Sequence, residues 1–210
     1  MMADNTAVLD RFETVKLSKL LSYVLRHGAQ KEKLVVRSDG YIAVNDLLAR
    51  PKFKQVTLEQ IKYVVDNNDK QRFKLIQEQG EYLIRANQGH SIKSVNQDQL
   101  LERLAEPLPV AVHGTSLDSW QSIKQQGLLC MKRNHIHLAP GLPGHDGVIS
   151  GIRKSCQVYI YIDMAKAMAD NIVFYKSSNN VILTEGLGGC LKPQYFSKVE
   201  DREGRPLLLP

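Results

Sequence analysis

Four cationic side chains stand beside glycine or other small residues, where the chain shows little other reason for charge. Arg26 and His27 precede Gly28-Ala29, Arg85 precedes Ala86-Asn87-Gln88-Gly89-His90-Ser91, and Arg153 follows Gly151-Ile152. Guanidinium forks match phosphate oxygens two at a time, so three arginines and an imidazole can hold a phosphate dianion. The competing reading makes each arginine a solvated charge or a salt-bridge partner. It also explains Arg26 and His27 as cations in the last turn of a helix, where the helix dipole favours them. Gln88-Gly89-His90-Ser91 reads equally as a loop presenting donors to a ligand and as a glycine turn capped by serine.

His113-Gly114-Thr115 closes an apolar run. Glycine there admits close approach to the backbone, while His and Thr offer hydrogen bonds to ribose hydroxyls or phosphate. The plain alternative is a strand-to-turn junction with a satisfied histidine. His135-Ile136-His137 alternates, so a strand puts both imidazoles on one face. Zinc would need a third ligand, and neither His145 nor Asp146 has the spacing of a metal motif. No metal is expected. Trp120 falls at apolar spacing on a helix and is expected in the core.

These groups need elements to position them. Leu17, Leu20, Leu21, Val24 and Leu25 share one helical face, predicting a helix over Thr14–His27 that stops at Gly28. LVVRSDGYIAV predicts a short hairpin turning at Ser38-Asp39-Gly40. Asn45 is the expected N-cap of the next helix, which Pro51 ends. Thr57 with Gln60 forms a capping box for a third helix, and RFKLIQEQGEYLIRA predicts two strands joined near Gly80. Residues 94–110 turn polar and carry Pro107 and Pro109, which predicts a lobe over 1–95, a linker over 96–109 and a second lobe over 110–210. In the second lobe VAVHGTS, HIHLAP, CQVYIYID and VILTEG read as strands. LDSWQSIKQQ reads as a helix stopped by Gly127, MAKAMADN as a short helix, and Asn179-Asn180 as a tight turn. The expected class is α+β.

The 210 residues carry 28 Lys+Arg against 22 Asp+Glu, a formal charge of +6, which favours anionic partners and nucleic acid above all. Cys130, Cys156 and Cys190 are odd in number and form no CxxC pair, so a disulfide framework or cysteine zinc site is not expected. The N-terminal run MMADNTAVLDRFETVKLSKLL has no basic start leading into a long apolar stretch. A soluble intracellular protein, cytoplasmic or nuclear, is expected, with no membrane segment and a monomer as the default.

Taken in order, KLSKLLSYVLRHGA, DGYIAVNDLL, RFKL, IRANQGHS, VHGTS, GLLCMKRNHIHLA, GIRKSCQVYIYID and FYKSSNNVILTEG resemble the Tpt1/KptA family of tRNA 2′-phosphotransferases, from about Lys16 to Phe196. The resemblance implies a winged-helix-like RNA lobe followed by an ADP-ribosyltransferase-like lobe that binds NAD. It implies a catalytic tetrad of Arg26, His27, Arg85 and Arg153. Arg26, His27 and Arg85, with Gln88, His90 and Ser91, are then expected on the RNA phosphate. His113, Gly114, Thr115, His137 and Ile182 are expected on NAD, the co-substrate. Ala139 stands where the family more usually has serine. The implied partner is RNA with an internal 2′-phosphate, as at a tRNA splice junction. The implied reaction has two steps: the 2′-phosphate displaces nicotinamide from NAD, and the ribose O2″ then takes the phosphorus, leaving a 2′-OH RNA and ADP-ribose 1″,2″-cyclic phosphate. Two other readings remain: an ADP-ribosyltransferase that caps terminal phosphates of RNA or DNA, and an RNA-binding module with an inactive transferase lobe.

Overall fold

The structure, a computed structural model, describes residues 9–209. The N-terminal run read for a targeting signal therefore begins outside the described residues. The chain divides into two compact units, Met1–Leu100 and Leu101–Pro210. The division falls within segment 96–109, which carries a one-turn helix and a two-residue strand.

In the first unit α1 spans Arg11–Tyr23. It starts under a capping box: the Glu13 N–H donates to the Asp10 carboxylate at 2.7 Å, and the Asp10 N–H donates to the Glu13 carboxylate at 3.1 Å. The helix thus begins before the Thr14 read from the sequence. Nor does Gly28 stop it. The chain runs on as a π-helical turn, Val24–Gly28, and Ala29 is still right-handed at φ −55°. A π turn pairs residues five apart, and Gly28 is five beyond Tyr23. A Cβ on Gly28 would lie 2.7 Å from Tyr23 Cε1. Gly28 is therefore a packing glycine inside helical backbone.

The unit continues with β1 (Ile42–Ala43), α2 (Val44–Leu48), a 3₁₀ turn (Pro51–Phe53), α3 (Leu58–Asp66), β2 (Phe73–Glu78), β3 (Glu81–Ala86) and α4 (Gln97–Leu100). The antiparallel sheet has the order β1-β3-β2. The hairpin expected around Gly40 does not form a ladder. Its turn is present, with Gly40 at φ 85° and the Arg37 N–H donating to the Tyr41 carbonyl at 2.9 Å, but β1 pairs with β3 through Ile42 and Ile84. Asn45 does not cap α2; Ala43 occupies that position without a side-chain bond, so the helix starts earlier. Pro51 opens the 3₁₀ turn after α2 has ended. The Thr57–Gln60 capping box of α3 forms as read, and Gln79-Gly80, both with positive φ, turn β2 into β3. Leu21, Leu25, Leu47, Phe53, Ile61 and Ile84 close the core.

In the second unit come β4 (Glu102–Arg103), β5 (Val112–Thr115), α5 (Leu117–Gln126), β6 (Leu128–Leu129), β7 (Ile136–Leu138), β8 (Val158–Ile162), α6 (Met164–Ala169), β9 (Phe174–Lys176), β10 (Ile182–Thr184), β11 (Cys190–Leu191) and β12 (Phe196–Asp201). They form sheets β4-β9-β10-β7, β12-β8-β5 and the pair β11-β6, all antiparallel. A bridge between Val112 and Ala139 ties β5 to the end of β7. Gly127 stops α5 at φ 88°, and a Cβ there would sit 2.5 Å from the Leu191 carbonyl oxygen. Asn180, at φ 61°, makes the turn into β10. Trp120 packs in the core against Phe196. The strand β12 was not read from the sequence. The class is α+β, the three cysteines are free, and no helix among the described residues is long and apolar enough to cross a membrane.

His135 precedes β7 and is buried, edge-on to the Tyr175 ring at 5.9 Å. His137, on the strand, is half-buried, so the two imidazoles do not share one environment. Burial pushes the His135 pKa down to about 4. The Glu185 carboxylate, 3.8 Å from Nε2, acts the other way but is 60% exposed and screened by water.

Two outcomes follow from these contacts. Thr57→Ala removes the α3 cap and should lower stability by about 1 kcal/mol, read from the urea midpoint. His135 is neutral when folded and has a pKa near 6.5 when unfolded, so its stabilising contribution is complete above that value and is lost as pH falls toward 4. The loss should be on the order of 3 kcal/mol. Urea unfolding at pH 7 and pH 4 should show a smaller pH effect in His135→Gln; an equal effect in both proteins contradicts the assignment.

Candidate active site

The candidate residues fall into two groups, one in each unit. In the first, Arg26 and His27 lie on the π-helical turn, and Ser91 clasps that turn. The Ser91 N–H donates to the Arg26 carbonyl at 2.9 Å, and its hydroxyl donates to the same oxygen at 3.4 Å. His27 Nδ1 lies 2.9 Å from the Ser91 hydroxyl. The same hydroxyl thus faces both the Arg26 carbonyl and the His27 imidazole. Ser91 is thus a clasp between a loop and a helix end, close to the capping alternative read from the sequence.

Arg85 ends β3 and is 9% exposed. Its Nη1 donates to the Asp39 carbonyl at 2.8 Å, its guanidinium lies 4.7 Å from the centre of the Tyr41 ring, and its Nε has no hydrogen-bond partner among the described residues. The Asp39 carboxylate is turned elsewhere, onto Arg37 at 2.8 Å, and Arg37 also holds Glu78 at 2.7 Å. Gln88 and His90 are enclosed, at 7% and 3% exposure. Gly40 brings the Asp39 turn against this group: a Cβ there would lie 3.5 Å from His90 Nε2. The structure therefore gathers Arg26, His27 and Ser91 directly, and sets Arg85 and His90 against the turn at Gly40.

In the second unit His113, Gly114 and Thr115 form β5. His113 Nδ1 lies 2.9 Å from the His137 carbonyl, so Nδ1–H donates and Nε2 is the basic nitrogen. Desolvation lowers its pKa, which the bond to His137 only partly offsets, and the imidazole is neutral at pH 7. Gly114 is tight on its open side: a Cβ would lie 2.6 Å from Ile152 Cγ1 and 2.7 Å from Cys156 Sγ. On that side the neighbouring atoms belong to residues that flank Arg153. Arg153 itself is exposed. Ile182 is fully buried in the core, paired with Leu138 and Lys176, and presents no surface. Ala139 is also buried, and its Cβ lies 3.4 Å from where a Gly151 Cβ would be.

Arg133 was missed. Its Nη1 lies 3.4 Å from His137 Nδ1, and its pKa is lowered by desolvation and then by the positive charge of Arg153. His137 Nδ1 also lies 3.1 Å from the His135 carbonyl. Two arginines that repel one another, with no carboxylate in ion-pair reach among the described residues, make a place where an anion is favoured. The available signal was an arginine four residues before His137. Asp39, Tyr41 and Asn87 were missed too; they carry no charge pattern of their own and act through Arg85 and its loop. No cluster of metal-ligating side chains occurs among the described residues.

A family model described as RNA 2′-phosphotransferase, Tpt1/KptA family, matches residues 13–186. A Schizosaccharomyces pombe protein named "Putative tRNA 2'-phosphotransferase" is 52% identical over 94% of this chain and 54% of its own length. The chain thus spans about half of that relative. Proteins named tRNA 2′-phosphotransferase 1 are 49% identical in Danio rerio, over 89% of this chain and 85% of theirs, and 46% identical in Homo sapiens, over 88% and 74%. With the family match covering both groups of side chains, the chain belongs to the RNA 2′-phosphotransferase family, Tpt1/KptA.

Proposed function

We propose that this protein is an NAD-dependent RNA 2′-phosphotransferase that clears an internal 2′-phosphate, such as that of a spliced tRNA junction. The observation that carries the reading is the enclosed Arg85, a guanidinium without a carboxylate partner among the described residues, in the unit where Ser91 clasps Arg26 and His27 together. A phosphate dianion supplies the missing negative charge. The names of the relatives agree with that substrate. The first unit serves as the winged-helix-like RNA lobe and the second as the ADP-ribosyltransferase-like lobe.

We read the second unit as the one that would hold NAD. Arg133 and Arg153 offer cations to a pyrophosphate, and a neutral His113 held by the His137 carbonyl offers Nε2 to a ribose hydroxyl. NAD supplies an electrophilic ribose carbon and a leaving group. Arg26, His27 and Arg85 would hold the 2′-phosphate, and NAD would supply the carbon to which its oxygen bonds as nicotinamide departs with the bonding pair. In the second step the ribose O2″ would lose its proton as it bonds to phosphorus, and the bond from phosphorus to the RNA 2′-oxygen would break with its electron pair staying on that oxygen. That oxygen takes a proton, a role we give to a protonated His27. Arg153 stabilises charge on the equatorial oxygens in this step.

Incubation with NAD and an RNA bearing one internal 2′-phosphate, without added metal, tests the reading by mass. Loss of the phosphate with formation of ADP-ribose 1″,2″-cyclic phosphate supports it. A terminal ADP-ribose adduct that never resolves supports the capping reading, and absence of nicotinamide release with any RNA supports an inactive module.

Arg153→Ala should accumulate ADP-ribosylated RNA and slow the full reaction by about a hundredfold or more, equivalent to roughly 3 kcal/mol; failure before nicotinamide release would reassign Arg153 to the first step. Gly114→Ala should displace the Ile152–Cys156 segment that carries Arg153. We expect a rate loss of at least about tenfold and a destabilisation of about 1–3 kcal/mol, with RNA affinity retained in a direct binding measurement.

A further inference from the structure

The first unit has a second cationic feature, of which the proposed chemistry uses only Arg26. A groove of about 500 Å³ lies between α1 and the loop joining α3 to β2. Lys19, Arg26, Lys70 and Arg72 line it, against one carboxylate, Asp69. Arg72 is half-buried, and its pKa is lowered by desolvation, with Asp69 compensating only in part. No carboxylate lies within ion-pair distance of Arg72 among the described residues; its Nη1 donates to the Asn68 amide oxygen at 3.2 Å instead. Asn68 in turn donates to the Ser18 hydroxyl at 3.2 Å, so neutral hydrogen bonds hold the cation in place and leave its charge only partly compensated.

Two links join this groove to the residues placed on the 2′-phosphate. Arg26 belongs to both. At the other end, Asn87, two residues after Arg85, donates from Nδ2 to the Gln71 carbonyl at 2.6 Å, and its N–H donates to the Arg72 carbonyl at 2.8 Å. Gln71 is thereby held at φ 43°, an uncommon conformation for a non-glycine residue. The groove is therefore built from the same segments that set the phosphate-binding group.

We propose that this groove binds the phosphodiester backbone of single-stranded RNA beside the nucleotide that carries the 2′-phosphate. The proposal rests on the reading of Arg26 as a 2′-phosphate ligand. The chemistry fits a polyanion: several cations along an open channel, interleaved with serine and asparagine side chains that hydrogen-bond phosphate or sugar without reading a base. Backbone binding of this kind raises affinity for longer RNA and leaves the chemical step unchanged.

The test compares Lys19→Glu/Lys70→Glu with a control of equal charge change at exposed positions outside the groove, Lys31→Glu/Lys33→Glu. Fluorescence anisotropy would follow a single-stranded RNA ten-mer with one internal 2′-phosphate and a dinucleotide with the same phosphate. The groove variant should bind the ten-mer at least about tenfold more weakly than the control, with a log–log salt dependence shallower by about 1.4 for two lost contacts. Its kcat and KM on the dinucleotide should match the wild type. Arg72→Gln should shift ten-mer binding in the same direction, and if it does not fold, the lysine pair still decides. Ten-mer affinity and salt dependence equal to the control overturn the inference, as does an equal loss on the dinucleotide. Absence of nicotinamide release by the wild type would refute the proposed reaction alone, because the binding comparison does not depend on turnover.

Discussion

Positioning cations without a carboxylate in ion-pair reach is the constraint on which both units depend. A buried guanidinium is costly unless its hydrogen bonds are met and its charge is answered. A carboxylate would do both, and would also occupy the position an anionic substrate needs. The first unit meets one donor of Arg85 with a backbone carbonyl, sets an aromatic face against the guanidinium, leaves Nε without a partner among the described residues, and turns the Asp39 carboxylate toward Arg37. Arg72 is handled in the same way through the Asn68 amide. In the second unit Arg133 meets an imidazole and lies within the field of another arginine. Acidic side chains are committed elsewhere, as Asp201 is to Arg205 and Glu200 to Lys198 and Tyr161.

Two glycines show how backbone geometry serves that constraint. Gly28 lets the Tyr23 ring lie against the π turn that displays Arg26 and His27. Without a π turn, the same residues would project along an ordinary helical face, and Ser91 would meet a different carbonyl. Gly114 lets Ile152 and Cys156 press on β5, which sets the segment carrying Arg153. In both places the absence of a side chain is used for protein packing, and the functional group sits one or two residues away. Phosphoryl transfer asks for positioned positive charge more than for covalent chemistry. A fold that spends its glycines on locating arginines is suited to that demand.

Several features were legible from the sequence alone because they depend on contacts within a few residues. The Thr57–Gln60 capping box, the Gln79-Gly80 turn, the Gly127 helix stop and the turn at Asn180 are of this kind. The order of the motifs, from KLSKLLSYVLRHGA to VILTEG, was likewise enough to indicate the family, which the family match and the relatives then show. The tertiary structure decided what local pattern leaves open. It chose β3 over residues 34–37 as the partner of β1. It extended α1 into a π turn, buried Ile182 and His135, left His137 partly open, and brought Arg133 within the field of Arg153. Each of these turns on which distant surfaces meet and how much water they exclude, and residue spacing along a chain does not contain that quantity.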